Sequence, residues 1–243
     1  MHIPDGFLNN PVSFGAGLGA LGALAHSLKK VAQELKLKVA VLQHKLAGNT
    51  GSQLVGGKSF GLSFANRKVE QMASLAALIF ALQMINFPVL NGTSGHFIGA
   101  ALATAVVGPW AAILVLSLVV TLQAVVFADG GLIVLGANML NIAVFPSLLA
   151  MLVITLAKRL TDSPLRKIVS LTVAAWISVM LAATACSFEL ALSGTIALGD
   201  VLTAMLGVHA LIGIGEALIT LAFFQLFFSR QSTYLQPEES QHA

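Results

Sequence analysis

The sequence predicts an all-α, polytopic membrane protein: seven transmembrane helices, with the N-terminus outside and the C-terminus in the cytoplasm. Three observations carry this. First, 57% of the 243 residues are hydrophobic, only 9% are charged, and the mean hydropathy is +0.89. A soluble domain has about a quarter charged residues, so this chain cannot solvate its own surface in water. Second, apolar runs approaching or exceeding spanning length recur at 12–28, 71–90, 95–108, 109–128, 136–157, 168–192 and 201–228. Third, the 13 Lys and Arg residues are confined to three segments. Lys29, Lys30, Lys36, Lys38, Lys45, Lys58, Arg67 and Lys68 fall between runs one and two. Lys158, Arg159, Arg166 and Lys167 fall between runs five and six, and Arg230 follows run seven. Seven crossings put all three segments on one face, and the positive-inside rule makes that face cytoplasmic.

The first run is followed at once by Lys29-Lys30 and lacks a basic stretch before it, so it reads as a retained anchor rather than a cleaved leader. Residues 31–47 carry Val31, Leu35, Val39, Leu42 and Leu46 at helical spacing. They read as a cytoplasmic extension of helix one or an interfacial helix. Residues 48–57 are polar and Gly-rich, a flexible linker within a basic cytoplasmic loop spanning 29–70. The short third run and the Gly108-Pro109 break imply a tight hairpin of helices three and four. Residues 1–230 therefore form one seven-helix domain, and the polar residues 231–243 a disordered cytoplasmic tail. The lone Cys186 excludes an internal disulfide and any multi-cysteine metal site.

The chain opens MHIPDGFLNN. His2 is too large a neighbour for removal of the initiator, so Met1 and its amine are expected to remain. The amine, the His2 amide nitrogen and the His2 Nδ1 can close fused five- and six-membered rings around one metal. Three nitrogens in a plane suit Ni(II) or Cu(II). On Met-His alone, an exposed tail is the simpler reading. Pro4, which biases Ile3 to an extended shape, the Asp5-Gly6 turn signal and the apolar Phe7 and Leu8 argue for a tail that folds back. A fourth ligand is expected on the same side. His96, at the outer end of helix three behind Asn91-Gly92-Thr93-Ser94-Gly95, is the candidate. His209 and Glu216 are seven apart, hence on one face of helix seven; each serves either the site or packing. Asp5, Asn91 and Ser94 are further candidates around the site. His26, His44 and His242 lie on the other side and are read as solvated.

Four blocks then add up. MHIPDGF, FALQMINFPVLNGTSGHFIGA, FADGGLIVLGANMLN and HALIGIGEALIT, in this order along most of the chain, closely resemble the substrate-binding membrane subunit of cobalt/nickel energy-coupling-factor transporters. The resemblance implies metal binding by the amine of Met1, the amide and imidazole of His2, and the imidazole of His96. It implies Ni(II) or Co(II) as the transported ion, with a slight lean to nickel, and no permanently bound cofactor. The implied partners are a transmembrane coupling subunit, two ABC-type ATPases and a separate small accessory membrane subunit. The inner cell membrane of a bacterium or archaeon is the implied location. The stretch 33–59 is longer than the family pattern. The chain has no Walker sequence, so ATP hydrolysis falls to other subunits. Docking them needs a face of small residues, and Ala73, Ala77 and Ala81 recur every four residues on helix two. Gly15, Gly19 and Ala23 form a second stripe, read first as packing of helix one onto the core.

Two rival readings remain open on sequence. GTSG resembles the motif of rhomboid-type intramembrane serine proteases, with Ser94 as nucleophile and His209 as base, although the outer-loop Arg of those enzymes is missing. A metal-permeable channel that works alone is the other.

Overall fold

The computed structural model describes residues 1–47, 55–89, 93–160 and 163–233. Seven helices are present among them. They are α1 (Asn10–Ala47), α2 (Val55–Gln83), α3 (Ala100–Val107), α4 (Pro109–Phe127), α5 (135–160), α6 (Pro164–Leu192) and α7 (Leu198–Thr233). α5 is one rod in three stretches: α-helical Leu135–Met139, a π-turn at Leu140–Val144, then α-helical Phe145–Leu160. Among the described residues four helices are long and apolar enough to cross a membrane: Pro109–Phe127, Leu135–Arg159, Leu165–Leu192 and Leu198–Leu226. The chain is thus a multi-pass helical membrane protein. Large side chains such as Leu118, Val125, Leu211 and Leu218 stand exposed on these helices, as a lipid-facing surface requires.

Several sequence expectations need correction. The fold is not purely helical. Strands β1 (Asn86–Val89) and β2 (Thr93–His96) form an antiparallel hairpin, pairing Asn86 with His96 and Phe87 with Gly95. Helix two accordingly stops at Gln83 rather than near 90, and helix three starts at Ala100 rather than 95. Eight helical residues reach only about 12 Å, short of the roughly 30 Å hydrocarbon core. The expected loop 29–70 is largely helix, because α1 continues to Ala47 and α2 already begins at Val55. Residues 31–47 are therefore the extension of helix one. The expected linker 48–57 loses Val55, Gly56 and Gly57 to α2, and its remainder lies outside the described residues. The expected tail loses residues 231–233 to α7, and residues 234–243 lie outside the described residues.

Helices meet closely because small residues let backbones approach, the main packing device where lipid removes the hydrophobic drive. A Cβ on Gly136 would sit 2.5 Å from the Gly17 Cα and 2.7 Å from its nitrogen, so α1 crosses α5 backbone on backbone. Ser13, Ala16, Ala20, Ser27 and Val31 are the buried line of α1. The packing stripe is therefore offset from Gly15/Gly19/Ala23: Gly15 has open space around it, and Gly19 approaches only the Leu140 side chain. At Gly108 the chain turns with a φ of 86°, open to glycine at no steric cost, and Pro109 starts α4 at a position where its missing N–H is harmless.

Candidate metal centre

Residues 1–9 form a plug held into one end of the bundle. Met1, Ile3 and Leu8 are buried, and Met1 and Ile3 completely so. Main-chain pairing secures them. Asn138 on α5 receives the Ile3 N–H on Oδ1 at 2.8 Å and returns Nδ2 to the Ile3 carbonyl at 3.1 Å. The Gly131 N–H adds a bond to the same carbonyl at 2.9 Å. Asp5 accepts the N–H groups of Leu132 at 3.0 Å and Ile133 at 2.8 Å, with Val134 at 3.4 Å, and so neutralises the orphan donors ahead of α5. The Thr195 hydroxyl donates to the Phe7 carbonyl, and Asn9 caps α1 through the Val12 N–H at 3.0 Å. The ADGG turn after α4 receives this plug. A Cβ on Gly131 would lie 2.1 Å from Asp5 Oδ1, and one on Gly130 would lie 2.9 Å from Asn138 Nδ2 and 3.1 Å from His2 Nδ1. Only glycine leaves that room.

The hairpin brings the second half of the site. The Met1 amine donates to the Ser94 carbonyl and lies 3.3 Å from Ser94 Oγ. The rings of His2 and His96 meet edge to face, centroids 4.7 Å apart. His96 lies in β2, not at the end of a helix, and the reason is Glu216. Its Oε2 accepts the Ile98 N–H at 2.9 Å and its Oε1 the Gly99 N–H at 2.6 Å. Those bonds hold residues 97–99 unwound and aim the preceding β2 at the plug. Glu216 thus acts on the loop of His96, resolving one question left by its spacing from His209.

Three imidazoles share one pattern of protonation. His2 Nδ1 faces the Asp129 carbonyl at 2.8 Å, His96 Nδ1 the Phe97 carbonyl at 2.7 Å, and His209 Nδ1 the Met205 carbonyl at 2.7 Å. A carbonyl only accepts, so each Nδ1 carries the hydrogen and each Nε2 keeps a lone pair. All three Nε2 atoms are buried with no partner. His209 sits against the hairpin, its ring 3.3 Å from where a Gly95 Cβ would be. Burial pushes the Met1 amine down to about 5, against weaker upward pulls from Cys186 and Asp129. Burial likewise lowers His2 and, well below the usual imidazole value, His96. Neutral nitrogens with unshared lone pairs are what a transition metal takes.

Among the described residues no group of three or more His, Cys, Asp and Glu side chains is placed to hold a metal. A complete donor set here must draw on the main-chain nitrogens of Met1 and His2. The planar chelate needs His2 Nδ1, and in this structure that atom is committed to the Asp129 carbonyl, with Asp129 Oδ1 3.5 Å from the same nitrogen. Chelation would require the His2 ring to leave the Asp129 carbonyl.

Of the candidates from sequence, Met1, His2, His96 and Ser94 converge, His209 stands against them, and Asp5 holds the plug in place. Asn91 lies outside the described residues. Ser94 Oγ faces the Met1 amine at 3.3 Å, not an imidazole, so the nucleophile–base pair of a serine protease is not formed. Sequence reading missed Asn138, the Asp129 carbonyl and the Gly130-Gly131 seat. The Ala-Asp-Gly-Gly run was the available signal, since paired glycines mark a close backbone approach.

Beside the plug lies an open cavity of about 470 Å³ that includes His2, Asp5, Asn86, Ser94 and Asp129.

Residues 54–234 match the family described as the cobalt uptake substrate-specific transmembrane region. The chain is 34% identical over 222 residues to a fused nickel transport protein, NikMN, of Archaeoglobus fulgidus, covering 90% of this chain and 63% of that one. It is 33% identical over 222 residues to a metal transport protein of Haloquadratum walsbyi, covering 90% of this chain and 86% of that one. This chain therefore spans less than two thirds of the Archaeoglobus protein's length and most of the Haloquadratum protein's. A crystal structure of a transition metal transporter superposes with a TM-score of 0.75 at 27% identity, over 96% of this chain and 93% of that one. A truncated transition metal transporter superposes with a TM-score of 0.74 over 93% and 98%. Matched over residues 54–234, the chain belongs to the family of cobalt uptake substrate-specific transmembrane regions.

Proposed function

We propose that the chain is the ion-capturing subunit of an importer for Ni(II) or Co(II). The ion binds in the plug through the Met1 amine, the His2 amide and Nδ1, and His96 Nε2. The observation that carries this is the buried meeting of Met1, His2 and His96, with the Nε2 lone pair of His96 left without a partner. Relatives named for nickel, for cobalt and for metal transport support the class of ion. On binding, the hydrogen on His2 Nδ1 moves to its Nε2, the metal replaces the Asp129 carbonyl as the partner of Nδ1, and His96 approaches along its bare Nε2 direction. His209 lies behind the hairpin and orients it.

The basic residues sit at the opposite helix ends from the plug: Lys158 and Arg159 in the last turn of α5, Arg166 and Lys167 at the start of α6. The positive-inside rule then makes the plug extracytoplasmic, in the cell (inner) membrane of a bacterium or archaeon, with seven passages of which the third is shared between the short α3 and the unwound residues 97–99 ahead of it. Uphill uptake requires energy from elsewhere, so the partners are a transmembrane coupling subunit and two ABC-type ATPases, with a small accessory membrane subunit. Ala73, Ala77 and Ala81 are all exposed on α2, the condition for a partner helix to approach them closely.

The test is X-ray absorption on purified protein whose N-terminus has been read by intact mass. Four nitrogen donors in a plane, lost when one residue is inserted between Met1 and His2, support the chelate. An unchanged spectrum in the insertion variant sinks it.

A further inference from the structure

His96 is aimed by two consecutive peptide planes, and both are held by side chains from other helices. The first plane joins Phe97 to Ile98. Its carbonyl accepts the His96 Nδ1 hydrogen at 2.7 Å, and its N–H donates to Glu216 Oε2 at 2.9 Å. The second plane joins Ile98 to Gly99. Its N–H donates to Glu216 Oε1 at 2.6 Å, and its carbonyl accepts from Gln83 Nε2 at 3.0 Å. Glu216 on α7 therefore holds the N–H side of both planes, and Gln83, the last residue of α2, holds the remaining carbonyl. We propose that Gln83 is a positioning residue for His96, which ties the ion's affinity to the place of α2.

The planarity of the peptide unit makes the second grip count. A plane bonded at one edge still turns about its flanking Cα atoms, and a bond at the opposite edge stops it. Ile98 is completely buried, so without the Gln83 N–H its carbonyl would have no donor, and the segment would shift to find one. Turning that plane drags its neighbour, whose carbonyl orients the His96 ring. Ile79, one turn earlier on α2, presses on the same place. A Cβ on Gly99 would lie 2.6 Å from Ile79 Cγ1, and Gly99 has a φ of 79°, so only glycine fits both the space and the turn.

The make-up of α2 argues separately. Leu75, Ile79 and Gln83 recur every four residues, form one face and are all buried. Leu75 and Ile79 are apolar, as packing alone requires. Gln83 is only 1% exposed, yet it carries an amide whose Oε1 has no hydrogen-bond partner among the described residues. An unmet acceptor opposes burial, so an apolar side chain would pack there at less cost. What the amide supplies in return is the one bond to Ile98. Ala73, Ala77 and Ala81 are offset from this face by two residues, about 200° around the helix. The exposed stripe of α2 therefore lies on the side away from residues 97–99.

The proposal rests on the reading of His96 as an ion ligand, and Ni(II) titration calorimetry separates the two. It compares four full-length proteins with intact N-termini: the parent, Gln83→Met, His96→Ala and the double variant. Methionine keeps the side chain's length and removes the N–H. Gln83→Met is expected to lower Ni(II) affinity about tenfold, the lower end of the loss for a group that orients a ligand. In the His96→Ala background the same change should cost less than about twofold, since no ligand is left to aim. The X-ray absorption spectrum of Ni(II)-loaded Gln83→Met should move toward that of His96→Ala. Helix content and a single elution peak establish that each variant is folded. If Gln83→Met is not, Gln83→Leu, which also lacks the N–H, takes its place. An equal loss in both backgrounds overturns the proposal, because Gln83 would then support the bundle rather than His96. Parental affinity in Gln83→Met beside a weakened His96→Ala also overturns it and leaves the ligand reading intact. Parental affinity in His96→Ala removes His96 as a ligand, and both fall together.

Discussion

The imidazoles of His2 and His96 stand edge to face, 4.7 Å between centroids and 79° between planes, and each has its Nδ1 on a backbone carbonyl and its Nε2 bare. Neither ring can satisfy the other, because both interior nitrogens are acceptors. A buried acceptor without a donor costs about 1–3 kcal/mol. The pair is held together by the plug and the hairpin; an ion bound as proposed would take the His96 Nε2 lone pair, while His2 Nε2 would receive the hydrogen displaced from Nδ1.

His96→Ala is therefore expected to weaken Ni(II) or Co(II) binding by at least about 10–100-fold, the loss known for groups one step further from a metal. The plug itself should survive, because its bonds run to Asn138, Asp129 and Gly131 rather than to His96. Titration calorimetry reads the affinity. Equal affinity in variant and parent would remove His96 from the site.

The pH dependence of binding separates a buried plug from an exposed tail. Burial holds the Met1 amine near 5 and lowers both imidazoles, so in the folded protein these ligands are already neutral at pH 7. Protons compete with the metal for the amine only below about pH 5. Between pH 6 and 8 only the His2 amide proton is displaced, and log affinity should rise by about one per pH unit. A free Met-His tail, with an amine near 8 and an imidazole near 6.5, would show about two or more. The metal-free protein carries the converse. Its amine stays neutral while that of the unfolded chain takes up a proton as pH drops below 8, so stability falls between pH 8 and about 5. A melting temperature that rises on acidification through that window would contradict the burial of the amine.

Glu216 gives a test of how the site is aimed. Its two oxygens take two neighbouring main-chain N–H groups, and Glu216→Gln would set an NH₂ against one of them. Residues 97–99 should then relax and carry His96 off its line. Metal affinity is expected to fall about tenfold or more, with Glu216→Asp recovering little because the shorter arm cannot reach both donors. A Glu216→Gln protein with parental affinity and unaltered metal spectrum would leave Glu216 as packing only.

Much of this was legible in the sequence for a physical reason. Lipid solvent imposes long apolar helices, and the cations mark their ends, so helices four to seven could be read directly. MHIPDGF declared a folded tail because proline, a turn pair and apolar anchors follow the chelating dipeptide. The hairpin was not legible. NFPV and TSGH are strands of only four residues, too short for hydropathy to distinguish a strand from a turn beside a helix. What turns them is long-range: Glu216 takes the N–H groups that α3 would otherwise begin with. The seat of the plug was equally hidden, since Asn138 and Gly131 act on Ile3 and Asp5 only once α4 and α5 are packed.

The alanines of α2 supply the last prediction. Ala73, Ala77 and Ala81 point outward, whereas Leu75 and Ile79 of the same helix are buried completely. Leucine at the alanine positions adds bulk where nothing in this chain has to make room, so folding and metal binding should be untouched. A partner helix that needs close backbone approach would be pushed away by each added side chain. Ala77→Leu, at the centre of the stripe, should cost the most in co-purification with a coupling subunit and in ATP-driven uptake, with the flanking positions costing less. The two readouts have to part company. Loss of metal binding together with uptake would mean that the alanines pack the bundle after all. Uptake that survives all three substitutions would move the docking face elsewhere, and Gly15, exposed on α1 with open space around it, is the next residue to enlarge.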